Sequence, residues 1–322
     1  MIQAILIGIG AGAASALLFA SALTRGPLAL ILVPLSMLPV LLAGIAWSHR
    51  IALIAVATAA TLAGLLISGW SAVSYLVAFG VPAYVLAYLV MLGRTTEHGA
   101  EWYPPGRIVI WAALLAAGAG LAFVLLFGSD LETYRGSVRA TLQQSLKDAP
   151  PEAFAQQLKL LGLKSTDELF NVVALILPAW VGLFAFTFYI LNAWLAARLA
   201  RVSGMLPRPW PDLRAMTFPP MASVLFVVGL AVSYFIPGLP GLIATVIVAI
   251  LTFAHSLLGF AVLHSITQGV GGRQPILALA WISLAFGWPV LLAAMLGIAD
   301  QIFDLRGKAA RRRPPAPPVP MK

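Results

Sequence analysis

Long apolar runs separated by short polar stretches set the pattern of this chain. The first run covers residues 2–23, and the second, about 28–47, is interrupted by Pro34 and Pro39 and closes on Trp47. Beyond the polar hinge Ser48-His49-Arg50 a third extends to roughly Ser68, and a fourth, containing Pro82, covers 71–92. A fifth occupies 108–127, a long sixth about 168–200, a seventh about 218–236 and an eighth 242–267. A ninth, roughly 276–298, is interrupted at Gly287-Trp288-Pro289. A membrane-crossing helix needs about 20 apolar residues. The pattern therefore predicts an all-α, polytopic transmembrane bundle of eight or nine segments.

The polar stretches give the organisation. Arg25 and Arg50 are the only Lys, Arg, Asp or Glu residues before Arg94, so the first four segments read as packed helix without buried charge. Residues 94–106 form a polar loop. Between 129 and 167, Leu142, Leu146, Phe154, Leu158 and Leu161 recur at helical spacing among charged residues. That pattern predicts amphipathic helices lying against the membrane surface or capping the bundle, divided at Pro150-Pro151. Ser165-Thr166-Asp167-Glu168 reads as the N-cap of the sixth span. The arginines of 198–214 mark a cytoplasmic loop by the positive-inside rule, and the basic, proline-rich stretch 307–322 reads as a disordered tail suited to anionic headgroups. Three full crossings between that loop and that tail would place them on opposite sides. One element must fail to cross, and the Pro289 break makes the ninth the first suspect. The expected layout is a single transmembrane domain over 1–306, an insert at 129–167 and the tail.

Composition narrows the classes. The 322 residues are 61% hydrophobic and 10% charged, with mean hydropathy +0.96, against roughly 25% charge in soluble domains. No cysteine is present, which excludes disulfides, thiolate metal ligands and cysteine nucleophiles. The net charge of +9 lies in membrane-flanking loops and the tail, and no basic face with interleaved aromatics points to nucleic acid. Ala20-Ser21-Ala22 resembles a signal-peptidase site, but no basic region precedes the apolar run, so a retained helix is expected.

Few side chains carry candidate chemistry. Polar groups inside an apolar span are costly and by default suggest function. His264 and Gln268 stand four apart and share a helix face, and Asn192 lies on the inward stripe Asn171/Pro178/Asn192 of the sixth span. With His255 they form the candidate ligand-binding set. His255 and His264, nine apart, point to opposite faces and cannot hold one metal, so no metal or cofactor is expected. A satisfied histidine bonded to a carbonyl is the competing reading. Asp300, Asp304 and Arg306 read as a structural clamp at headgroup level. Gly8, Gly12 and Ala16 form a small-residue stripe that permits close helix approach, within the chain or to a membrane partner, including a second copy. No nucleophile–base pair or phosphate loop supports catalysis.

Through Gly259–His264, Gly287-Trp288-Pro289 and Leu296-Gly297-Ile298-Ala299-Asp300-Gln301-Ile302-Phe303-Asp304-Leu305-Arg306, the chain resembles the YybS-like family of uncharacterised bacterial membrane proteins. That family is grouped with the Gx-type transporters, which include the S components of energy-coupling-factor vitamin importers. The resemblance implies a bacterial inner-membrane protein with a core of about six helices, a small-molecule pocket and docking of the first helix on a membrane coupling partner. Two functions compete: small-molecule binding or transport without an ATPase of its own, and a non-transporting scaffold or assembly factor.

Overall fold

The computed structural model describes residues 2–24, 26–97, 99–146, 158–160 and 162–311. It is 82% helical, and seven of its helical stretches are long and apolar enough to cross a membrane. In chain order the elements are α1 Ile2–Ala20, α2 Ala29–Leu32, α3 Met37–Ala46, α4 His49–Leu66, α5 Gly69–Tyr75 and α6 Val81–Met91. A 3-10 turn, Pro34–Ser36, joins α2 to α3, and a π-helical turn, Leu76–Gly80, joins α5 to α6. The hairpin β1 Gly93–Thr96 and β2 Gly99–Trp102 follows, with Arg94 opposite Glu101 and paired to it at 2.7 Å. Then come α7 Pro105–Phe127, α8 Leu131–Ser145, α9 Thr166–Val202, α10 Pro220–Phe235, α11 Leu239–Ile266, α12 Arg273–Ser283, α13 Pro289–Phe303 and α14 Leu305–Arg311.

Several local signals act where the sequence places them. The Ser165 hydroxyl accepts the Glu168 N–H at 3.2 Å and the Glu168 carboxylate accepts the Lys164 N–H at 2.8 Å, so side chains answer two backbone donors where the helix begins. Gly287, at φ +77°, turns the chain where the ninth run was expected to break. The resulting α12 and α13 have 11 and 15 residues, each short of the ~20 needed for a crossing. Two differences stand out. The loop 94–106 is not featureless but carries the hairpin. The tail expected from 307 begins as helix α14, while residues 312–322, the Pro150-Pro151 division, Phe154 and Leu161 lie outside the described residues.

Contacts divide the chain into two compact units. The first comprises Met1–Tyr103, Trp111–Pro209 and Val227–Ile250; the second, Pro104–Ile110, Trp210–Phe226 and Leu251–Lys322. In the first unit α1 lies on α4 along its small residues. A Cβ on Gly12 would meet the Ala55 carbonyl and Thr58, and one on Gly8 would meet Ile54. The stripe Gly8/Gly12/Ala16 is therefore covered by the chain itself. A second close approach, at Gly120 and Gly182, joins α7 to α9. The amphipathic face of α8, Tyr134 and Val138 flanked by Leu131 and Leu142, packs on Val124, Ala174 and Leu242.

Prolines explain where two buried tyrosine hydroxyls of this unit go. A proline inside a helix has no N–H for the carbonyl four residues earlier. Pro178 withholds one from Ala174, and the Tyr134 hydroxyl donates to that oxygen at 3.0 Å. Pro82 withholds one from Ala78, and the Tyr189 hydroxyl donates there at 2.6 Å. At the Pro34–Ser36 turn, Ser15 donates to the Ser36 carbonyl at 2.6 Å and the Asn192 amide to the Pro34 carbonyl at 3.2 Å. A bilayer offers no water for such groups, so partners within the chain are needed.

In the second unit α13 runs antiparallel to α11. A Cβ on Gly259 would meet the Ala293 carbonyl, and one on Gly297 would meet the His255 carbonyl and the Gly259 nitrogen. Trp281 of α12 stacks on Phe260 with centroids 4.4 Å apart.

Candidate functional site

A lateral groove of about 380 Å³ lies in the first unit. Its walls are α5 with the π-helical turn, α7 and α9. Proline and small side chains open it: Pro82 sets off the π-helical turn, while Ala78, Ala119, Ala122 and Ala185 leave space where larger residues would fill it. Pro34 and Tyr189 lie at the buried end, and Trp70, Leu125, Leu126 and Phe184 are exposed around the opening. The polar atoms of the lining residues at the buried end are already bonded. The Tyr189 hydroxyl is on Ala78 and the Pro34 carbonyl receives Asn192. At the opening, the Ser74 hydroxyl and the Trp70 indole N–H have no partner among the described residues. The groove can therefore hold an apolar body, with hydrogen bonding available at its outer end.

The residues expected to bind ligand are distributed between the units. Asn192, fully buried in the first, donates to Pro34 and, at 2.7 Å, to the Phe188 carbonyl of its own helix; its Oδ1 is buried without a partner among the described residues. His255, His264 and Gln268 belong to the second. His255 is fully buried between the rings of Phe218 and Phe226, at centroid distances of 5.4 and 5.3 Å. Its Nδ1 lies 2.7 Å from the Leu251 carbonyl; a carbonyl can only accept, so Nδ1 carries the proton and Nε2, buried and without a partner among the described residues, is the acceptor. His264 is half-buried, with Nδ1 2.9 Å from the Phe260 carbonyl and its ring edge-on to Trp281. Gln268, half-buried, follows one turn later.

Asp300 and Arg306 form a tight pair. The Arg306 guanidinium reaches Oδ2 at 2.7 Å, its backbone N–H donates to Oδ1 at 2.9 Å, and the side chains are 16% and 4% exposed for Arg306 and Asp300. The same guanidinium donates to the Arg214 and Met216 carbonyls, both at 2.9 Å. Asp304 stands apart from this pair: it is exposed, adopts a left-handed backbone at φ 48°, accepts the Gly307 N–H and lies 3.4 Å from Arg311.

Sequence reasoning missed Arg208, which counted only as one charge in a basic loop. It is 9% exposed, donates to the Val90 carbonyl at 2.7 Å and lies over Trp102. A cation there matches the negative end of α6, although burial holds its pKa below the ordinary arginine value. Exposed Asp212 is held below the usual carboxylate range by hydrogen bonds from Arg214. Among the described residues no three His, Asp or Glu side chains gather as a metal site.

Apolar spans, proline-broken helices and satisfied backbone oxygens define a polytopic helical membrane protein. More particularly, the chain belongs to the family of predicted membrane proteins designated DUF2232, whose family model matches residues 13–301. No curated protein and no solved structure matches it.

Proposed function

We propose that this protein binds a small apolar molecule within the membrane, in a transport-related role, without an ATPase of its own. The groove between α5, α7 and α9 carries the reading. Small-molecule sites are concave and mostly apolar with a few placed polar groups, and this one has that composition. The resemblance to YybS-like proteins, with their Gx-type transporter grouping and bacterial inner-membrane setting, supports the same reading. An enzymatic role forms no part of it.

The orientation follows from Arg306. Its bonds to Arg214 and Met216 hold the end of the basic loop beside the start of the tail, so the chain between them leaves and returns to one side. Eight crossings satisfy this: the seven long apolar stretches together with α10, the one 16-residue helix counted as crossing, with α12–α13 as a hairpin that does not cross. The positive-inside rule then puts both basic segments in the cytoplasm.

Untargeted mass spectrometry of molecules co-extracted with the purified chain tests the binding reading. An apolar molecule should accompany the wild type and be missing from Ala185→Trp and Ala122→Phe, which fill the groove. Identical extracts from all three folded proteins would overturn it and favour the scaffold.

A further inference from the structure

Resting on that reading, we propose that the groove receives one hydrocarbon chain of a bilayer amphiphile, methyl end inward, with the amphiphile's polar linkage held at Trp70 and Ser74. The groove is continuous with the bilayer interior. All three walls belong to helical stretches able to cross the membrane, and Trp70, Leu125, Leu126 and Phe184 at the opening are exposed. In a bilayer those side chains meet lipid tails, so the groove extends the hydrocarbon phase into the protein and is entered sideways.

Polarity is also ordered along the groove. A polar ligand atom at the buried end would meet lining groups already committed to Ala78 and Pro34, and an unpaired buried polar group is costly. Hydrocarbon asks for no partner there. At the outer end, Trp70 and Ser74 stand four apart on one face of α5 with an indole N–H and a hydroxyl unpartnered among the described residues. Tryptophan favours the membrane interface, where one end of it is apolar and the other wet. An ester, hydroxyl or carboxyl group at that level accepts both bonds. A compact apolar solute would leave them unused, and a compact polar one would not enter. The order of groups in an amphiphile, polar linkage then chain, matches the order of the lining.

The test uses the full chain in phosphatidylcholine nanodiscs with two photoactivatable palmitic acids, one carrying a diazirine near the carboxyl and the other at the chain end. The near-carboxyl probe should label residues 70–74. The chain-end probe should label Pro34 and residues 181–189, and excess unlabelled palmitate should suppress both. Ser74→Ala should weaken palmitate binding about tenfold to a hundredfold, the worth of one hydrogen bond to a carboxylate. Ala185→Trp, or Ala122→Phe where the first does not fold, should abolish labelling at both ends. The proposal is overturned by label positions indifferent to diazirine placement, by labelling that survives both filled variants, or by unchanged affinity in Ser74→Ala. If groove-filling removes a co-extracted compact molecule while the palmitate pattern is absent, the binding reading stands and the chain proposal falls. If neither is seen, both fall.

Discussion

Helices of both units close on glycines, but in the first unit a broken helix is also met by a side-chain donor from elsewhere in the chain, whereas in the second the added tie is the Asp300–Arg306 ion pair. Tyr134, Tyr189, Asn192 and Ser15 each spend a donor on a carbonyl at or near a proline break. Gly259 and Gly297 bring backbone against backbone, as Gly12 and Gly120 do in the first unit, and Arg306 ties Asp300 to the Arg214–Met216 segment. The difference teaches what a polar residue in an apolar span signifies. In the first unit it marks a backbone defect being repaired, and the groove beside the repairs is left apolar. In the second, an ion pair at one end closes the chain on itself.

Removing one side of the ion pair should have the largest effect. Asp300→Ala leaves a mostly buried guanidinium without its carboxylate and should cost about 3–5 kcal/mol, read as lost folded yield and a lower Tm in detergent. Asp304→Ala, at an exposed site, should stay within about 0.5 kcal/mol. Equal losses for the two would erase the distinction between the clamp and its exposed neighbour.

Next comes Gly259→Val, which drives a branched side chain into the Ala293 backbone and should cost about 3 kcal/mol, the upper end for overpacking. A variant with wild-type thermal stability would show that α11 and α13 do not close there.

A double-mutant cycle sharpens the repair idea. Tyr189→Phe should cost about 1 kcal/mol, within the range for hydrogen bonds inside membrane proteins. In a Pro82→Ala background the restored N–H can serve Ala78, so the cost of losing the tyrosine hydroxyl should shrink. Strictly additive losses would mean that Tyr189 does something other than replace the missing amide.

The smallest effect concerns pH at the cap of α8. Asp130 is held below its ordinary pKa mainly by the Thr133 N–H and hydroxyl. A lowered folded pKa means the contribution is fully present above the unfolded value of about 3.9 and is lost as pH falls through the folded one. Hydrogen exchange of α8 should accelerate over that acid range in the wild type, beyond the intrinsic pH trend, and lack that step in Asp130→Asn.

The sequence by itself determined the membrane class, the approximate spans, the Ser165 cap and the interruption at Gly287-Trp288-Pro289, because each rests on hydropathy, capping chemistry or backbone preference within a few neighbouring residues. It pointed to the small-residue stripe of α1 but left its partner open; that α4 covers it depends on how two helices cross. The proline positions were visible, yet the residues that answer them were not. Tyr134 and Ala174 are 40 apart in the chain, Tyr189 and Ala78 are 111 apart, and no local pattern pairs a hydroxyl with a carbonyl at such distances. The groove was hidden for the same reason. Apolar lining residues on three separate helices look like any other lipid-facing or core positions until packing leaves space between them. The search for polar residues led to His255, His264 and Asn192, while the cavity formed where polarity was lowest, since only tertiary packing decides which apolar faces fail to meet.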